Sequence, residues 1–397
     1  MLDCLQQQGC PAIVKTGIAV PPRHPARRAP PPVAAAASAV ALPPRFPMPL
    51  VLVAPGLLSL PAAALDREAA FARLASHSGE PQVEPMGIAA ALLRSSRWPV
   101  DTPVAPLAAL GAGIDPGAGF ALIAEPVHFD AGRADIVLTR CVDDLDGAEA
   151  QALVATLSDH FAVDALRFVA PRPGAWFALA ETSPDIATTP VDAVVGRSPI
   201  THLPQGRDAG TWKRWQDEIG MLLYGHPVNA AREARGCSSV NAVWFWGGGR
   251  IAPDRGRAPV SVAAASGRTA DIARGMALAS HGTTTPWPPG PHWIGETLRL
   301  HAPAGDARAS NATVIVVCEA IGGVAAAAGE TSAAGFARAR LAPALAMLEG
   351  RRIDALHLVA DGNGVAATWT AQAPGRLARQ LARWRKGAFR LPAASAR

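Results

Sequence analysis

The sequence predicts an α/β fold, in which helices cover both faces of a mainly parallel sheet. Three short apolar runs, at residues 50–54, 313–318 and 355–360, contain no alternation of polar and apolar residues. Such continuous runs are typical of strands that are buried on both faces. Helical patterns separate the runs, as expected of a sheet with helices on its two sides. At 397 residues the chain is also long enough for two domains and a large core.

Residues 48–124 are predicted to form the first part of the α/β core. The strand at 50–54 ends at Pro55-Gly56, and this turn favours a core strand over a signal peptide. Residues 65–110 then predict two or three short amphipathic helices that prolines interrupt. No apolar run reaches the roughly 20 residues that a membrane span needs, so we expect no membrane association.

Residues 125–190 predict a small inserted α+β domain. Asp146 and Glu149 have the spacing of a capping box, which predicts the start of a helix. The strands predicted around this helix are 126–129, 134–139, 166–169 and 176–180. The second part of the core follows in residues 191–373. Its predicted elements are a strand at 260–264, a helix at 268–280, the strand at 313–318, a helix at 336–348 and the strand at 355–360.

The block 199–250 is unusually rich in aromatic residues. It holds four of the ten tryptophans (Trp212, Trp215, Trp244 and Trp246) and the only tyrosine. An apolar stripe predicts a helix at 209–224. Asn229 is predicted to cap a short second helix at 230–235, which Gly236 ends. A strand at 240–246 then continues into three glycines.

Several residues of this block are candidates for binding a small anionic ligand. The candidates are His226, Asn229, Arg232, Asn241, Gly247, Gly248 and Gly249. Polar side chains can hold the ligand, and glycines let the backbone approach it closely. The alternative is structural: the tryptophans belong to the core, and His226 and Asn229 are helix caps. For Arg232 the alternative is an exposed ion pair on a helix face.

The motif HPVN-x-x-RE-x-x-G, followed by VN and W-x-WG-G-G, resembles a bacterial family of RpfE-type regulators. That family is similar to the archaeal-type, cofactor-independent phosphoglycerate mutases of the alkaline phosphatase superfamily. The resemblance covers most of residues 105–365 and is dense at 199–250. It implies an alkaline-phosphatase-like, doubly wound sheet with a small inserted α+β domain.

The family's chemistry uses two divalent cations, held by Asp and His side chains, to activate a hydroxyl nucleophile. The resemblance places an Asp-Gly after the first strand, but this chain has Ala54-Pro55-Gly56. No Pro-Gly-Ser-Asp turn for the nucleophile occurs in residues 56–124. The carboxylates that remain at the later motifs are Asp361, Glu319 and Glu330. Because each metal needs four to six converging ligands, this set is too small.

The sequence therefore predicts a phosphoglycerate-mutase-like protein that has lost its two-metal phosphoryl-transfer site. We expect a binding or regulatory protein without a cofactor, whose partner is a small anionic ligand or another protein. The alternative is an active 2,3-bisphosphoglycerate-independent phosphoglycerate mutase or a related phosphatase, with Mn or Zn as its cofactor.

The basic charge of the chain lies at its two ends. Residues 1–47 carry net +4 and residues 374–397 carry net +7, which leaves −6 for the middle out of a total of +5. This distribution argues against a nucleic-acid groove. We expect 1–47 to be a disordered or mis-assigned N-terminal extension, and 374–397 to be a basic helix and tail. A basic tail that binds nucleic acid or a membrane remains a third hypothesis.

Five cysteines are scattered along the chain without the spacing of a zinc site or a disulfide framework. Such usage is typical of a reducing compartment. We therefore expect a cytoplasmic protein.

Overall fold

The computed structural model describes residues 48–131, 135–251, 258–287, 293–301, 312–322 and 330–373. The chain divides into two compact units, Met1–Leu42 and Pro43–Arg397, and all described residues belong to the second unit. The predictions for 1–47 and for the basic C-terminal helix lie outside the described residues. None of the described helices is both long enough and apolar enough to cross a membrane.

The described elements alternate between strands and helices along most of the chain. In chain order they are β1 (Pro49–Ala54), α1 (Ala62–Asp66), α2 (Ala69–His77), β2 (Gln82–Glu84), α3 (Gly87–Ser95), α4 (Val104–Gly111), β3 (Phe120–Ala131), β4 (Ile136–Cys141), α5 (Gly147–His160), β5 (Leu166–Arg172), β6 (Ala175–Ala180), α6 (Ala209–Tyr224), α7 (Pro227–Ala234), β7 (Ala242–Gly249), β8 (Val260–Ala264), α8 (Arg268–Ala279), β9 (Thr284–Pro286), α9 (Trp293–His301), β10 (Thr313–Val317), α10 (Ala333–Phe336), α11 (Ala342–Glu349), β11 (Ala355–Gly362) and β12 (Val365–Gln372). A π-helical segment, Ala337–Leu341, joins α10 to α11.

The main sheet has seven strands in the order β2-β12-β11-β1-β10-β8-β9. Strands β11, β1, β10, β8 and β9 run parallel, whereas β12 pairs antiparallel with β11, and β2 pairs antiparallel with β12 at the edge. Val51 and Val53 of β1 pack in one core with α3, α4 and α8. Leu50 and Leu52 pack in a second core with α1, α2 and α9 to α11. Both faces of the sheet are therefore covered, and the predicted α/β class is confirmed.

A second, five-stranded sheet lies beside the main sheet. Its order is β4-β3-β6-β5, and β7 also pairs antiparallel with β3. Helices α5 and α6 cover this sheet with an apolar core that includes Leu153, Trp212 and Phe245. The sheet thus begins at Phe120 and takes in β7, which the sequence analysis placed in the second part of the core. The boundaries of the inserted domain stay a prediction.

The strand β12 was missed in the sequence, although a hairpin signal precedes it. Gly362 pairs with Val365, which leaves Asn363-Gly364 as a two-residue loop. Both loop residues have positive φ, 52° for Asn363 and 73° for Gly364. An Asn-Gly pair favours this turn because its twist matches that of the flanking strands. The short edge strands β2 and β9 have three residues each, too few for a periodic pattern.

Two helical glycines allow a matched test of packing. A Cβ at Gly275 of α8 would lie 1.9 Å from the carbonyl oxygen of Leu107 in α4, whereas one at Gly220 of α6 would lie 3.6 Å from its nearest neighbour. We expect Gly275→Ala to destabilise the fold by about 1–3 kcal/mol through overpacking. Gly220→Ala should instead stabilise by about 0.5–1 kcal/mol, because Ala favours the helix. Urea unfolding measures both, and equal effects of the two changes would contradict the close packing of α4 on α8.

Candidate functional site

A cleft of about 600 Å³ lies where the parallel strands of the main sheet meet the second sheet. Loops at the carboxyl ends of β1, β8, β10 and β11 line it with Gly56, Arg268, Cys318 and Asp361. The second sheet contributes residues that include Glu125. In open α/β sheets, ligands bind outside the carboxyl ends of the strands. The cleft is therefore the candidate functional site.

Arg268, the first residue of α8, is the central charge of the cleft. Its guanidinium lies 2.9 Å from Glu125 Oε2 and 2.6 Å from Asp192 Oδ1. It also stacks over the ring of Trp246 at 5.2 Å. Burial lowers the pKa of Arg268, but the charges of Asp192 and Glu125 outweigh burial and hold the pKa well above its ordinary value. Arg268 is thus a permanent cation that neutralises two carboxylates of the cleft.

Asp361 is the carboxylate that the sequence analysis kept from the family's final motif. It follows the buried part of β11, and its Oδ1 accepts a hydrogen bond of 2.7 Å from the backbone N–H of Gly56. Burial raises the pKa of Asp361 from 3.8 to about 6, and the charge of Asp192 adds to the effect. Near neutral pH Asp361 is therefore able to exchange a proton, which is the property of a general acid or base.

The thiol of Cys141 also lines the cleft. Burial and the nearby carboxylate of Glu125 raise the pKa of Cys141 to about 12. Burial likewise raises the pKa of Cys318. Because the thiolate is the nucleophilic form, neither cysteine is poised for nucleophilic attack.

A second ion cluster lies at the rim of the cleft. Arg172 bonds to Asp271 of α8, and Arg274 contacts the same carboxylate at 3.2 Å. Burial raises the pKa of Asp271, although the hydrogen bond and charge of Arg172 oppose the shift. These groups connect the turn between β5 and β6 to α8, so they fix the second sheet against the core.

Arg232 has carboxylate partners within the protein. The sequence predicted that it binds an anion or, alternatively, forms an exposed ion pair. Its side chain is 1% exposed and bonds to Asp144 Oδ1 at 2.6 Å and Glu149 Oε2 at 2.7 Å. Its Nε donates to the carbonyl oxygen of Ser238 at 2.9 Å. The alternative of an exposed ion pair is wrong, because the guanidinium is buried. Arg232 instead ties α7 to the predicted capping box of α5, which the structure confirms.

Asn229 does not cap α7, which corrects the sequence prediction. His226 is the cap, and its Nδ1 accepts from the N–H of Val228 at 3.2 Å. Asn229 is buried, and its amide bonds to the carbonyl oxygens of Leu223 and Val240 and to the N–H of Val240. A helix start at Pro227 rather than 230 explains the difference, since proline suits the first helical position.

Gly236 ends α7 as predicted. It has φ +76°, and the N–H of Cys237 bonds back to the carbonyl oxygen of Arg232 at 3.0 Å. The N–H of Gly236 itself bonds to Glu233, which completes a Schellman motif. The remaining ring nitrogen of His226 lies 3.1 Å from Thr156 Oγ1, and burial lowers the pKa of His226.

Asn241 and the three glycines also contact protein groups. The amide of Asn241 accepts from the N–H of Phe129 and donates to its carbonyl oxygen, both at 2.8 Å, beside a bulge in β3. A Cβ at Gly247, Gly248 or Gly249 would lie within 2.6 Å of Val104, Leu122 or Pro103, respectively. The glycines therefore let α4 and β3 pack closely on β7. The ligand-binding role predicted for this set stays a prediction.

The other remnant carboxylates do not converge on Asp361. Glu319 is exposed, and Glu330 bonds to the buried Arg340 at 2.8 Å. In the described part of the chain, no three His, Cys, Asp or Glu side chains are grouped so that they could hold a metal ion. The residues of the cleft therefore do not fit the two-cation centre that the resemblance implies.

The sequence did not predict the ion pairs of Arg268 with Glu125 and Asp192. They come from β3, from a 3₁₀ turn after β6 and from the start of α8. Their separations in sequence are large, 76 residues for one pair and 143 for the other. No local spacing rule could have joined them, because only the packing of two sheets brings them together.

Comparison with known proteins gives a short match and a remote likeness of fold. A 2,3-bisphosphoglycerate-independent phosphoglycerate mutase from Methanothrix thermoacetophila is 35% identical over 65 residues, which are 16% of this chain and 17% of that protein. The match thus spans about one sixth of the relative's length. No family model matches the sequence.

Two solved structures align with most of the chain at low identity. One is a cofactor-independent phosphoglycerate mutase from Thermoplasma acidophilum, with 15% identity, a TM-score of 0.37, and coverage of 82% of this chain and 90% of that one. The other is the PH0037 protein from Pyrococcus horikoshii, with 14% identity, a TM-score of 0.46, and coverage of 84% and 89%.

The buried position of Arg232 predicts a large loss of stability on its removal. Arg232→Ala leaves Asp144 and Glu149 without their buried partner, so we expect the free energy of unfolding to fall by about 3 kcal/mol. The matched control is Arg235→Ala, because Arg235 contacts the same Glu149 but is exposed. That change should cost much less, because solvent screens an exposed ion pair. Chemical denaturation measures the free energy of unfolding of both variants. Equal losses would contradict the inference that Arg232 forms a buried ion pair.

The raised pKa of Asp361 predicts a pH-dependent stability. Below pH 3.8 the carboxyl is protonated in both folded and unfolded chains, and no penalty arises. As pH rises to about 6, the unfolded chain releases the proton first, so burial of Asp361 destabilises the fold by about 3 kcal/mol.

Asp361→Asn should remove this penalty. We expect the variant to be more stable than the parent above pH 6 and equally stable below pH 4. Thermal unfolding across this range measures the difference. A parallel offset at all pH values would mean that Asp361 does not titrate as inferred.

Proposed function

We propose that this chain is a phosphoglycerate-mutase-like protein of the RpfE type that has lost two-metal phosphoryl transfer and acts by binding. On this proposal it is a cytoplasmic regulatory protein without a cofactor, and its partner is a small anionic ligand or another protein.

The arrangement of Arg268, Glu125 and Asp192 is the main support for the proposal. A divalent cation in the cleft would need several carboxylate ligands, and Glu125 and Asp192 each already give an oxygen to the guanidinium of Arg268. The described cleft residues therefore provide no set of ligands for a metal ion that would activate a nucleophile.

The start of the cleft supports the same interpretation. The turn after β1 has Pro55 before Gly56, where the resemblance places an Asp before a Gly, so the turn gives the cleft a backbone N–H and no carboxylate. A Cβ at Gly56 would lie 2.3 Å from the carbonyl oxygen of Ile321, and its φ is +78°. This position therefore requires glycine, which the resemblance also has there. The missing ligand is the carboxylate of the preceding residue, which is Pro55 in this chain.

The cleft is also the better position for a ligand than the HPVN block. Arg232 and Asn229 are buried, whereas Arg172 and Arg268 are partly exposed and line the cleft together with Asp361. We infer that a polar ligand contacts these cleft groups. Binding of 3-phosphoglycerate without its conversion would support this inference.

Metal content and turnover test the proposal directly. The full chain is purified with Mn²⁺ or Zn²⁺ present, its metal content is measured by mass spectrometry, and conversion of 3-phosphoglycerate to 2-phosphoglycerate is assayed. We expect substoichiometric metal and no turnover, with an active cofactor-independent mutase as the positive control.

Asp361→Asn serves as the matched variant in this experiment. If Asp361 is not a metal ligand, the variant should have the same metal content as the parent chain. One or more tightly held ions per chain, lost in Asp361→Asn and accompanied by turnover, would establish the active-mutase alternative instead.

A further inference from the structure

The amino terminus of α8 lies at the cleft without a side-chain cap. Residues 266–270, which lead from the loop after β8 into the first turn of α8, line the cleft. Gly267 occupies the capping position and has no side chain that could accept a hydrogen bond. The backbone N–H groups of Arg268, Thr269 and Ala270 have no acceptor among the described residues. The first N–H groups of a helix stay free in this way unless a side chain, water or a ligand satisfies them.

Thr269 adds an unpaired hydroxyl to this turn. The residue is 7% exposed and lines the cleft. Its hydroxyl has no hydrogen-bond partner within the part of the chain that the structure describes, and it is not one of the unpaired atoms that are sealed from solvent. The hydroxyl is therefore open to an occupant of the cleft. Burying a polar group without a partner costs free energy, which a ligand oxygen would recover.

The acidic residue in the first turn of α8, Asp271, does not satisfy these donors. Its carboxylate bonds to Arg172 and contacts Arg274 at 3.2 Å. The turn thus offers three N–H groups and one hydroxyl to the cleft, at the end of the helix that carries about half a positive charge from its dipole. Such a helix terminus favours an anion.

The charges around the cleft favour an anion with a single negative charge. Among its described residues, four carboxylates and two guanidinium groups line the cleft, namely Glu125, Asp143, Asp192, Asp361, Arg172 and Arg268. Both arginines already form ion pairs with carboxylates of the protein. The surplus of carboxylates repels additional negative charge, such as that of a phosphoryl group, and can accept hydrogen bonds from hydroxyl groups.

We propose that the cleft binds a small hydroxylated monocarboxylate, a sugar acid without a phosphoryl group. This inference rests on the proposed function, in which the cleft binds a ligand without phosphoryl transfer, and it narrows the anionic ligand to one class. The carboxylate of the ligand lies at the amino terminus of α8, where Thr269 and the N–H groups of residues 268–270 donate to it. Its hydroxyl groups donate to carboxylates of the cleft.

Three probes with the same three-carbon chain test the class of ligand. Binding of D-glycerate, glycerol and 3-phospho-D-glycerate to the isotope-labelled full chain is measured by NMR titration, with a chelator present so that no metal contributes. We expect D-glycerate to bind more tightly than glycerol by roughly ten-fold or more, because glycerol lacks the carboxylate that accepts from the helix terminus. 3-Phospho-D-glycerate should bind roughly 3- to 10-fold more weakly than D-glycerate, because its phosphoryl group meets the surplus of carboxylates.

Thr269→Val tests the position of the carboxylate, because it removes the hydroxyl and keeps the size of the side chain. We expect the affinity for D-glycerate to fall by roughly ten-fold, the effect of losing a hydrogen bond to a charged group. Thr269→Ser keeps a hydroxyl and should retain the parent affinity. The matched control is Thr211→Val, since Thr211 lies in the first turn of α6 and does not line the cleft. Thermal unfolding verifies that all three variants fold.

Three results would overturn the proposal. The first is that D-glycerate binds no more tightly than glycerol. The second is that 3-phospho-D-glycerate binds more tightly than D-glycerate, in which case the site recognises a phosphoryl group. The third is that Thr269→Val keeps the parent affinity or weakens binding no more than Thr211→Val does. Turnover of 3-phosphoglycerate with Mn²⁺ would refute the proposed function, whereas any of these three results in a chain without turnover would refute this inference alone.

Discussion

The guanidinium of Arg268 lies between Glu125 and Asp192 at the line where the two sheets meet. It joins the start of α8 in the core to β3 in the second sheet, and it stacks on Trp246 of β7. A partly buried ion pair of this kind contributes little net stability, because desolvation offsets much of the attraction. Its consequence is geometric: it fixes how the sheets face each other and gives the cleft a resident cation.

The same residue determines what chemistry the cleft can perform. Arg268 forms ion pairs with Glu125 and Asp192. Asp361 has no such pair with Arg268, and it remains a titratable acid beside the backbone of Gly56. Burial gives Asp361 a pKa of about 6, which suits proton exchange near neutral pH. One such acid with two arginines can recognise a polar ligand, but it does not replace a pair of divalent cations. This geometry is the basis of the proposed binding role.

The long elements of the fold could be predicted from periodicity and composition. The helix predicted at 209–224 and the strand predicted at 260–264 have the bounds observed for α6 and β8. Both have strong apolar patterns, since each buries a complete face. The short edge strands β2 and β9 carry no such pattern, and their pairing depends on neighbours that are distant in sequence.

The candidate site could be predicted only in part, because it consists of long-range contacts. Asp361 was found from a local motif, but its partner Gly56 lies 305 residues away. Arg232 was identified as a notable residue, but the alternative of an exposed ion pair was wrong because the sequence does not reveal burial. The prediction that Asn229 caps the helix was wrong for a local reason, because the helix starts at Pro227. Side-chain contacts between the sheets thus become visible only in the structure. The capping box of α5 and the strand β8 could be predicted because they depend on residues that are close in sequence.

The most direct test of the proposed loss of the metal centre is anomalous diffraction from crystals of the full chain soaked in Mn²⁺. The account predicts no anomalous peak near Glu125, Asp192 or Asp361, with Arg268 still bonded to the first two. A pair of ordered Mn²⁺ ions between these carboxylates, with Arg268 displaced, would contradict it.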